Sequence, residues 1–328
     1  MKKNGCGSDN LEDIDILEQH ITKRNIKVLK VLLKDKTTGN YIKWATENYE
    51  EFGLGYKAND EILPDLVTGR MTKLIQPRVL KTQDEQIKRT RDKAEVFTPT
   101  WIVNQQNNLV DEAWFGRCVV FNSSDGKSIN PIKKKIVFPE GKDWKKYVDL
   151  KRLEVSCGEA PYLVNRYDTV TGKFIEVNER VGLLDRKLRV INENVDEFSE
   201  WNKWVVRAFQ SVYGYELQGD NVLLARENLL YTYIDYMLYK FNIEPDLKQQ
   251  MKIANIIAWN IWQMDGITMT APYSQEKETY HQMSIFEWCT SDDVCKEARI
   301  RFEALPCRIF DWRSNESLEF RTMMKGAD

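Results

Sequence analysis

Between Glu95 and the C-terminus, short apolar segments alternate with helical segments, and this alternation constrains the fold more than any other feature. The expected strands are RLEVS, VYGYEL and WNIWQMDG. The expected helices are EWNKWVVRAFQSV, GDNVLLARENLLYTYIDYMLYKF with Asp220 as its N-cap, and LKQQMKIANIIA. Such alternation predicts a doubly wound α/β sheet. Ligands of these sheets bind at the carboxyl ends of the strands, so those ends are the first place to look for a site.

Two units are predicted along the chain. Residues 1–94 are expected to form a helical, partly irregular N-terminal region that includes the exposed polar helix KTQDEQIKRTRDKAE. Residues 95–328 are expected to form the α/β domain. This domain opens with WIVNQQNNLVDEAWF, whose apolar residues at helical spacing are Ile102, Val103, Leu109, Val110, Ala113 and Trp114. A second helical stripe, which contains Trp201 and Trp204, is expected to belong to the core.

Composition narrows the classes of function. The net charge is −2, so no global positive field indicates a nucleic-acid partner. The apolar runs are too short for a membrane span, and no partner membrane is expected. The six cysteines include no C-x-x-C pair and there are only two histidines, so no metal site and no histidine-based catalysis are expected. Unpaired thiols of this kind are typical of a cytoplasmic protein.

Four short segments with small or acidic residues follow one another in the chain: EVFTP, RLEVSCGEAPYL, GYELQGDN and NIWQMDG. A turn of small residues followed by a helix N-terminus suits the carboxylate of a methionine moiety. An acid that ends the next strand can accept both hydroxyls of a ribose. An acid that ends the third strand can accept a hydrogen bond from the amino group of adenine. The candidate cofactor-binding residues are therefore Phe97, Thr98, Pro99, Glu154, Ser156, Cys157, Gly158, Ala160, Glu216, Leu217, Asp265 and Gly266.

Taken together, these segments resemble motifs X, I, II and III of the adenine-N6 DNA methyltransferases, specifically the subunit M proteins of restriction-modification systems. Val155 stands where that family usually has proline, and Ala160 stands where it has a second glycine. The resemblance implies a class I methyltransferase fold, S-adenosyl-L-methionine as the cofactor and DNA as a partner. It implies ribose recognition by Glu216 and adenine recognition by Asp265.

The same family transfers the methyl group through an N-P-P-Y motif, which this sequence lacks. None of its nine prolines is adjacent to another. The similar Ala271-Pro272-Tyr273 is expected to be a loop, since it follows Asp265 too closely for a further helix and strand. We therefore expect no catalytic residue in this chain. The chain is expected to stop before the fourth strand and the target-recognition domain, which either come from a second polypeptide or are lost through truncation.

Two other classes of function remain open. The first is an inactive methyltransferase-like protein that serves as a structural or regulatory partner. The second is a dinucleotide-dependent enzyme, which the absence of G-x-G-x-x-G disfavours. Contact with DNA phosphates could come from the basic runs at 133–135 and 88–93. Charged runs of this kind are more often solvated faces.

Overall fold

The computed structural model describes residues 25–68, 74–93, 95, 98–274 and 304–324. Within these residues the helices are α1 (Ile26–Leu32), α2 (Gln83–Lys93), α3 (Thr100–Phe115), α4 (Trp144–Asp149), α5 (Leu183–Asn194), α6 (Phe198–Phe209), α7 (Gly219–Phe241), α8 (Leu247–Asn260) and α9 (Phe320–Met324). The strands are β1 (Asn122–Asp125), β2 (Ser128–Pro131), β3 (Arg152–Glu154), β4 (Val212–Glu216), β5 (Ile261–Gln263), β6 (Arg308–Asp311) and β7 (Glu316–Glu319). The fold is thus mixed α/β.

Three strands form a parallel sheet in the order β3-β4-β5. Glu154 pairs with Gly214, and Glu216 pairs with Gln263, so the three carboxyl ends lie at one edge. The other two sheets are antiparallel hairpins, β1-β2 and β6-β7. The three expected strands are therefore present, but each is shorter than expected, since β3 stops at Glu154 and β4 at Glu216. Strand β5 begins late because α8 continues through Asn260, and it stops at Gln263, so Asp265 follows the strand rather than ending it.

The two faces of the parallel sheet pack against different layers. Val212 and Ile261 point into the main hydrophobic core, which the helices share. Tyr213 and Trp262 point the other way and pack with Cys307, Ile309 and Phe320 from the C-terminal segment. In the described part of the chain, one face is covered by helices and the other by the β6-β7 hairpin with α9.

The N-terminal region is less helical than expected. Its described part contains α1, α2 and three short 3-10 turns, joined by irregular segments. Val28, Leu29 and Trp44 from this region belong to the same core cluster as residues of α7 and α8. A backbone contact also links the two regions, because Gly219 N–H donates to the Trp44 carbonyl at 2.9 Å.

Helix α7 has the bounds that the sequence predicts, but its start and its burial differ from the expectation. Gln218 is the N-cap, and Asp220 lies inside the first turn. The prediction of Asp220 as N-cap is wrong, because its carboxylate bonds to side chains of the N-terminal region. The helix is buried on nearly all sides rather than on one.

Helix α3 buries a polar stripe together with only part of the expected apolar one, of which Val103 is buried. Asn104, Asn107 and Asp111 are buried, whereas Leu109 is 66% exposed. The cause is the buried Arg186 of α5, whose guanidinium donates to the Asp111 carboxylate at 2.7 Å and to the Asn104 amide oxygen at 3.0 Å. The free-energy cost of burying a charge without partners exceeds the cost of leaving an apolar side chain exposed. By contrast, Trp201 of α6 is buried as expected.

Candidate functional site

The carboxyl edge of the parallel sheet brings three of the four sequence segments together. The turn after β3 is bonded to β4, since Cys157 N–H donates to the Tyr215 carbonyl at 2.8 Å. The segment after β5 is bonded to the end of β4, since Met264 N–H donates to the Glu216 carbonyl at 3.0 Å. The small-residue turn, Glu216 and Asp265 therefore lie at the ends of the neighbouring strands β3, β4 and β5, in that order along the sheet.

The turn after β3 places alternate residues in the left-handed region. Ser156, Gly158 and Ala160 have φ values of 48°, 52° and 62°. For a residue with a Cβ atom this conformation costs about 1–2 kcal/mol. A Cβ built on Gly158 would meet no heavy atom within 4 Å, so the backbone at this position faces open space. A ligand could approach this part of the turn closely.

The helix expected directly after this turn is absent. Residues 159–182 form turns and irregular backbone, and α5 begins only at Leu183. The reason lies in Glu154, whose carboxylate accepts hydrogen bonds from Tyr162 N–H at 3.2 Å and Leu163 N–H at 3.1 Å. These amides are the ones that a helix start would have offered to an anion. The predicted anion site at a helix N-terminus is therefore not formed.

Burial dominates the electrostatics of Glu154. It raises the pKa of the carboxyl group to about 8, and the charge of Glu216 raises it further, whereas the two backbone N–H donors act in the opposite direction. At neutral pH, Glu154 is therefore mainly protonated. A neutral acid next to Glu216 avoids placing two buried negative charges at the same edge.

Glu216 ends β4 and is already bonded to backbone groups. Its Oε2 atom accepts from Gly158 N–H at 3.0 Å, and its Oε1 atom accepts from Leu217 N–H at 2.9 Å and Gln218 N–H at 3.1 Å. Burial raises the pKa of this carboxyl group, although the three donors lower it in part. A carboxylate has about four acceptor positions. Three are used, so this arrangement leaves room for one ribose hydroxyl rather than two.

Asp265, after β5, keeps an acceptor available. Its Oδ1 atom accepts from Ile267 N–H at 2.8 Å and Thr268 N–H at 3.2 Å, which fixes the turn. Its Oδ2 atom accepts no hydrogen bond from the described residues. Leu217 and Ile267 are exposed beside this edge, the latter to 93%. The edge thus combines a free carboxylate oxygen with apolar side chains that could contact a planar ring.

The first segment is only partly described, since Phe97 lies outside the described residues. Pro99 is the N-cap of α3 and not its first residue. The Thr98 carbonyl accepts from Thr169 Oγ1 at 3.0 Å, and Thr100 N–H donates to the Asp168 carboxylate at 3.0 Å. Thr98 and Pro99 are therefore held by the segment that follows the small-residue turn.

A second polar centre, at the start of α7, was not anticipated. The carboxylate of Asp220 accepts from Tyr49 Oη at 2.7 Å, Arg89 at 2.7 Å and Lys81 at 3.2 Å. Burial by itself would raise the pKa of Asp220, but the charges of Arg89 and Lys81 outweigh it and hold that pKa well below its ordinary value. No sequence motif predicts this centre, because its residues come from distant parts of the chain.

A cleft of about 610 Å³ opens beside this polar centre. Tyr49, Phe52, Lys81, Lys88 and Arg89 line it together with the acids Glu47, Glu51 and Glu85. None of the residues at the carboxyl edge of the sheet contributes to its walls. The cleft is therefore separate from the site that the sequence predicts.

Comparisons of the chain with protein-family models, with curated proteins and with solved structures found no match. Among the described helices, none combines the length and the apolar character needed to cross a membrane.

Proposed function

We propose that this chain binds S-adenosyl-L-methionine and forms the cofactor-binding part of a site-specific DNA adenine-N6 methyltransferase of a restriction-modification system. The observation that carries the proposal is the placement of the Gly158 turn, Glu216 and Asp265 on three adjacent parallel strands at one edge. The catalytic motif, which these 328 residues lack, would come from residues outside them. The DNA partner rests on the sequence resemblance alone.

The adenosine half of the cofactor fits the edge. The Oδ2 atom of Asp265 can accept a hydrogen bond from the adenine amino group, and Leu217 and Ile267 offer apolar contact to the ring. Glu216 can accept one ribose hydroxyl. When bound, the cofactor would supply a methyl group for the amino nitrogen of a DNA adenine.

The methionine half has less support from these residues. The amides of Tyr162 and Leu163 are bonded to Glu154, and no helix begins at the turn. The open space beside Gly158 is the one feature of these residues that could accommodate the methionine half. We therefore expect the adenosine moiety to contribute most of the affinity.

Calorimetry on the purified chain tests the proposal. S-adenosylhomocysteine should bind, adenosine should bind more weakly and methionine should show no binding. Asp265→Asn and Glu216→Gln should each lower the affinity about tenfold, as expected for loss of a hydrogen bond to a charged group. Glu316→Gln, an exposed position on β7, is the matched control. Absence of binding by both S-adenosylmethionine and S-adenosylhomocysteine would reject the proposal.

A second candidate function is an inactive methyltransferase-like partner. The missing helix after the turn and the three filled acceptor positions of Glu216 favour it. A methylation assay separates the two functions, with DNA and the product of the neighbouring reading frame added. Cofactor binding without any transfer of labelled methyl groups would support the inactive partner.

A further inference from the structure

The cleft beside Asp220 has the dimensions of a small-molecule site. Its volume of about 610 Å³ lies within the usual range for such sites, roughly 300–1,000 Å³. One wall comes from the start of α2 and the residues before it, and the other comes from residues 47–52. The two walls differ in chemistry, and this difference indicates what the cleft can hold.

The α2 wall carries an ammonium group with unused donors. The Lys81 side chain is 8% exposed, and its partner in the described part of the chain is Asp220 at 3.2 Å. An ammonium group has three donors. Lys81 lines the cleft, and two donors of this nearly buried cation have no acceptor among the described residues, a costly arrangement that an anionic ligand would relieve. Lys88 lies on the same wall and adds a second positive charge.

Arg89, by contrast, donates a hydrogen bond from each of its three nitrogen atoms. It bonds to the Asp220 carboxylate, to the Glu95 carboxylate and to the Asn221 amide oxygen. Glu85 is also engaged, because its carboxylate accepts from Thr82 N–H at 2.8 Å and Thr82 Oγ1 at 2.7 Å. Lys81 and Lys88 are therefore the groups on this wall that are placed to bind an anion.

The opposite wall offers an aromatic surface. Phe52 is 43% exposed, and its ring lies 6.5 Å from that of the buried Tyr49. Tyr49 in turn packs against Trp44 at 4.5 Å. Phe52 is thus an exposed ring supported by a buried aromatic cluster, and a planar ligand could stack on it.

We propose that this cleft binds a nucleotide, with its phosphate at Lys81 and Lys88 and its base against Phe52. The acids Glu47 and Glu51 lie on the aromatic wall, where they repel the phosphate and can accept hydrogen bonds from ribose hydroxyls or an exocyclic amino group. The unequal charge of the two walls fixes the orientation of the ligand. This site is additional to the adenosyl site at the carboxyl edge of the sheet.

Two sources could supply this chemistry, namely a free mononucleotide and the phosphorylated end of a DNA strand. Calorimetry with the full chain compares the four nucleoside monophosphates, adenosine, inorganic phosphate and a 5′-phosphorylated oligonucleotide. At least one monophosphate should bind more tightly than adenosine or phosphate. Binding by the oligonucleotide and not by its dephosphorylated form would assign the ligand to a DNA end.

Variants test each wall. Lys81→Met should weaken nucleotide binding about tenfold, through loss of a charge-assisted hydrogen bond. Phe52→Leu should weaken it about fivefold or more, through loss of stacking. Lys88→Met provides a second test of the basic wall that leaves Asp220 fully paired. Lys133→Met, an exposed lysine outside the cleft, should bind like the unchanged chain.

Three results would overturn the proposal. The first is that no nucleotide binds at millimolar concentration. The others are that the Lys81 and Lys88 variants bind nucleotide as tightly as the unchanged chain, or that phosphate binds as tightly as the nucleotides. Binding of S-adenosylhomocysteine is measured in the same variants and should not change. A chain that binds nucleotide but not S-adenosylhomocysteine would reject the proposed function and leave this inference standing.

Discussion

Glu216, at the end of β4, accepts a hydrogen bond from the backbone N–H of Gly158 at 3.0 Å. This contact joins two residues that lie in separate sequence segments, and it uses one of the acceptor positions that a ribose would need. A ligand that presents two hydroxyls to Glu216 must displace one of its three backbone donors, of which Gly158 is one. The strained turn around Gly158 therefore affects both the stability of the chain and the affinity of the site.

Ser156→Gly should stabilise the chain. Ser156 is exposed and has a φ of 48°, so glycine removes backbone strain without loss of packing. We expect the free energy of unfolding to rise by about 1 kcal/mol in urea denaturation. Ser128→Gly, at an exposed position of β2 with ordinary backbone geometry, should instead lower it by about 0.5–1 kcal/mol. If both variants are destabilised equally, the left-handed backbone at Ser156 is not a source of strain.

Glu227→Gln should change how stability depends on pH. Both carboxylate oxygens of Glu227 are buried without a hydrogen-bond partner in the described part of the chain, and burial raises its pKa from 4.5 to about 8. Between these values the folded chain retains a proton that the unfolded chain has lost. The stability contributed by this group is therefore present below pH 4.5 and is lost as the pH rises towards 8.

The measurement is the free energy of unfolding of both proteins at pH 5.5, 6.5 and 7.5. As the pH rises, the free energy of unfolding of the glutamine variant should increase relative to that of the unchanged chain by about 1.4 kcal/mol per pH unit, the value for one proton. Glutamine introduces its own unpaired donors, so the slope and not the absolute difference is the test. Parallel curves would show that Glu227 does not hold its proton when buried.

Asp220→Asn should destabilise the chain strongly at neutral pH. It leaves Arg89 and Lys81 buried without their shared carboxylate, and loss of one partner from a buried ion pair costs about 3–5 kcal/mol. Because the pKa of Asp220 is lower in the folded chain than its ordinary value of 3.8, the carboxylate stabilises the fold above pH 3.8. This stabilisation is lost as the pH falls below that value. Thermal unfolding at pH 7 and pH 3 should show the difference between the two proteins narrowing in acid.

Asp196→Asn is the control for that experiment. Asp196 bonds to Lys240, but its side chain is fully exposed. Its loss should leave the unfolding midpoint close to that of the unchanged chain. An equally large effect of both substitutions would contradict the role assigned to the buried centre.

Gly219→Ala should disrupt the contact between the N-terminal region and α7. A Cβ at this position would lie 2.0 Å from the Lys43 carbonyl oxygen, so one backbone must move. We expect a loss of about 3 kcal/mol or more in the free energy of unfolding. Limited proteolysis should also show faster cleavage within residues 25–68. Gly158→Ala, where a Cβ has open space but a φ of 52°, should cost only about 1–2 kcal/mol.

Long periodic segments were predictable from the sequence. The bounds of α7 follow from 23 residues that lack proline, have glycine only at the first position and carry apolar side chains at close spacing. The end of β4 at Glu216 follows from a short apolar run that stops at an acid. These features are local, so the order of residues determines them.

The tertiary structure decided which partner each polar group has. Asp220 looked like a helix cap, but Arg89, 131 residues away, binds its carboxylate inside the first turn of α7. The turn after β3 looked like the start of a helix, but the Glu154 carboxylate binds the amides that would begin it. The polar stripe of α3 is buried because Arg186 lies beneath it.

The sequence by itself determined an α/β chain in which the acids Glu216 and Asp265 were expected to end two of the strands. The tertiary structure alone decided that Glu154 and Glu216 are buried and bonded to backbone amides, while Asp265 Oδ2 accepts no hydrogen bond from the described residues. The physical reason is desolvation: once buried, a carboxylate must find donors, and only the assembled fold determines which donors are within reach.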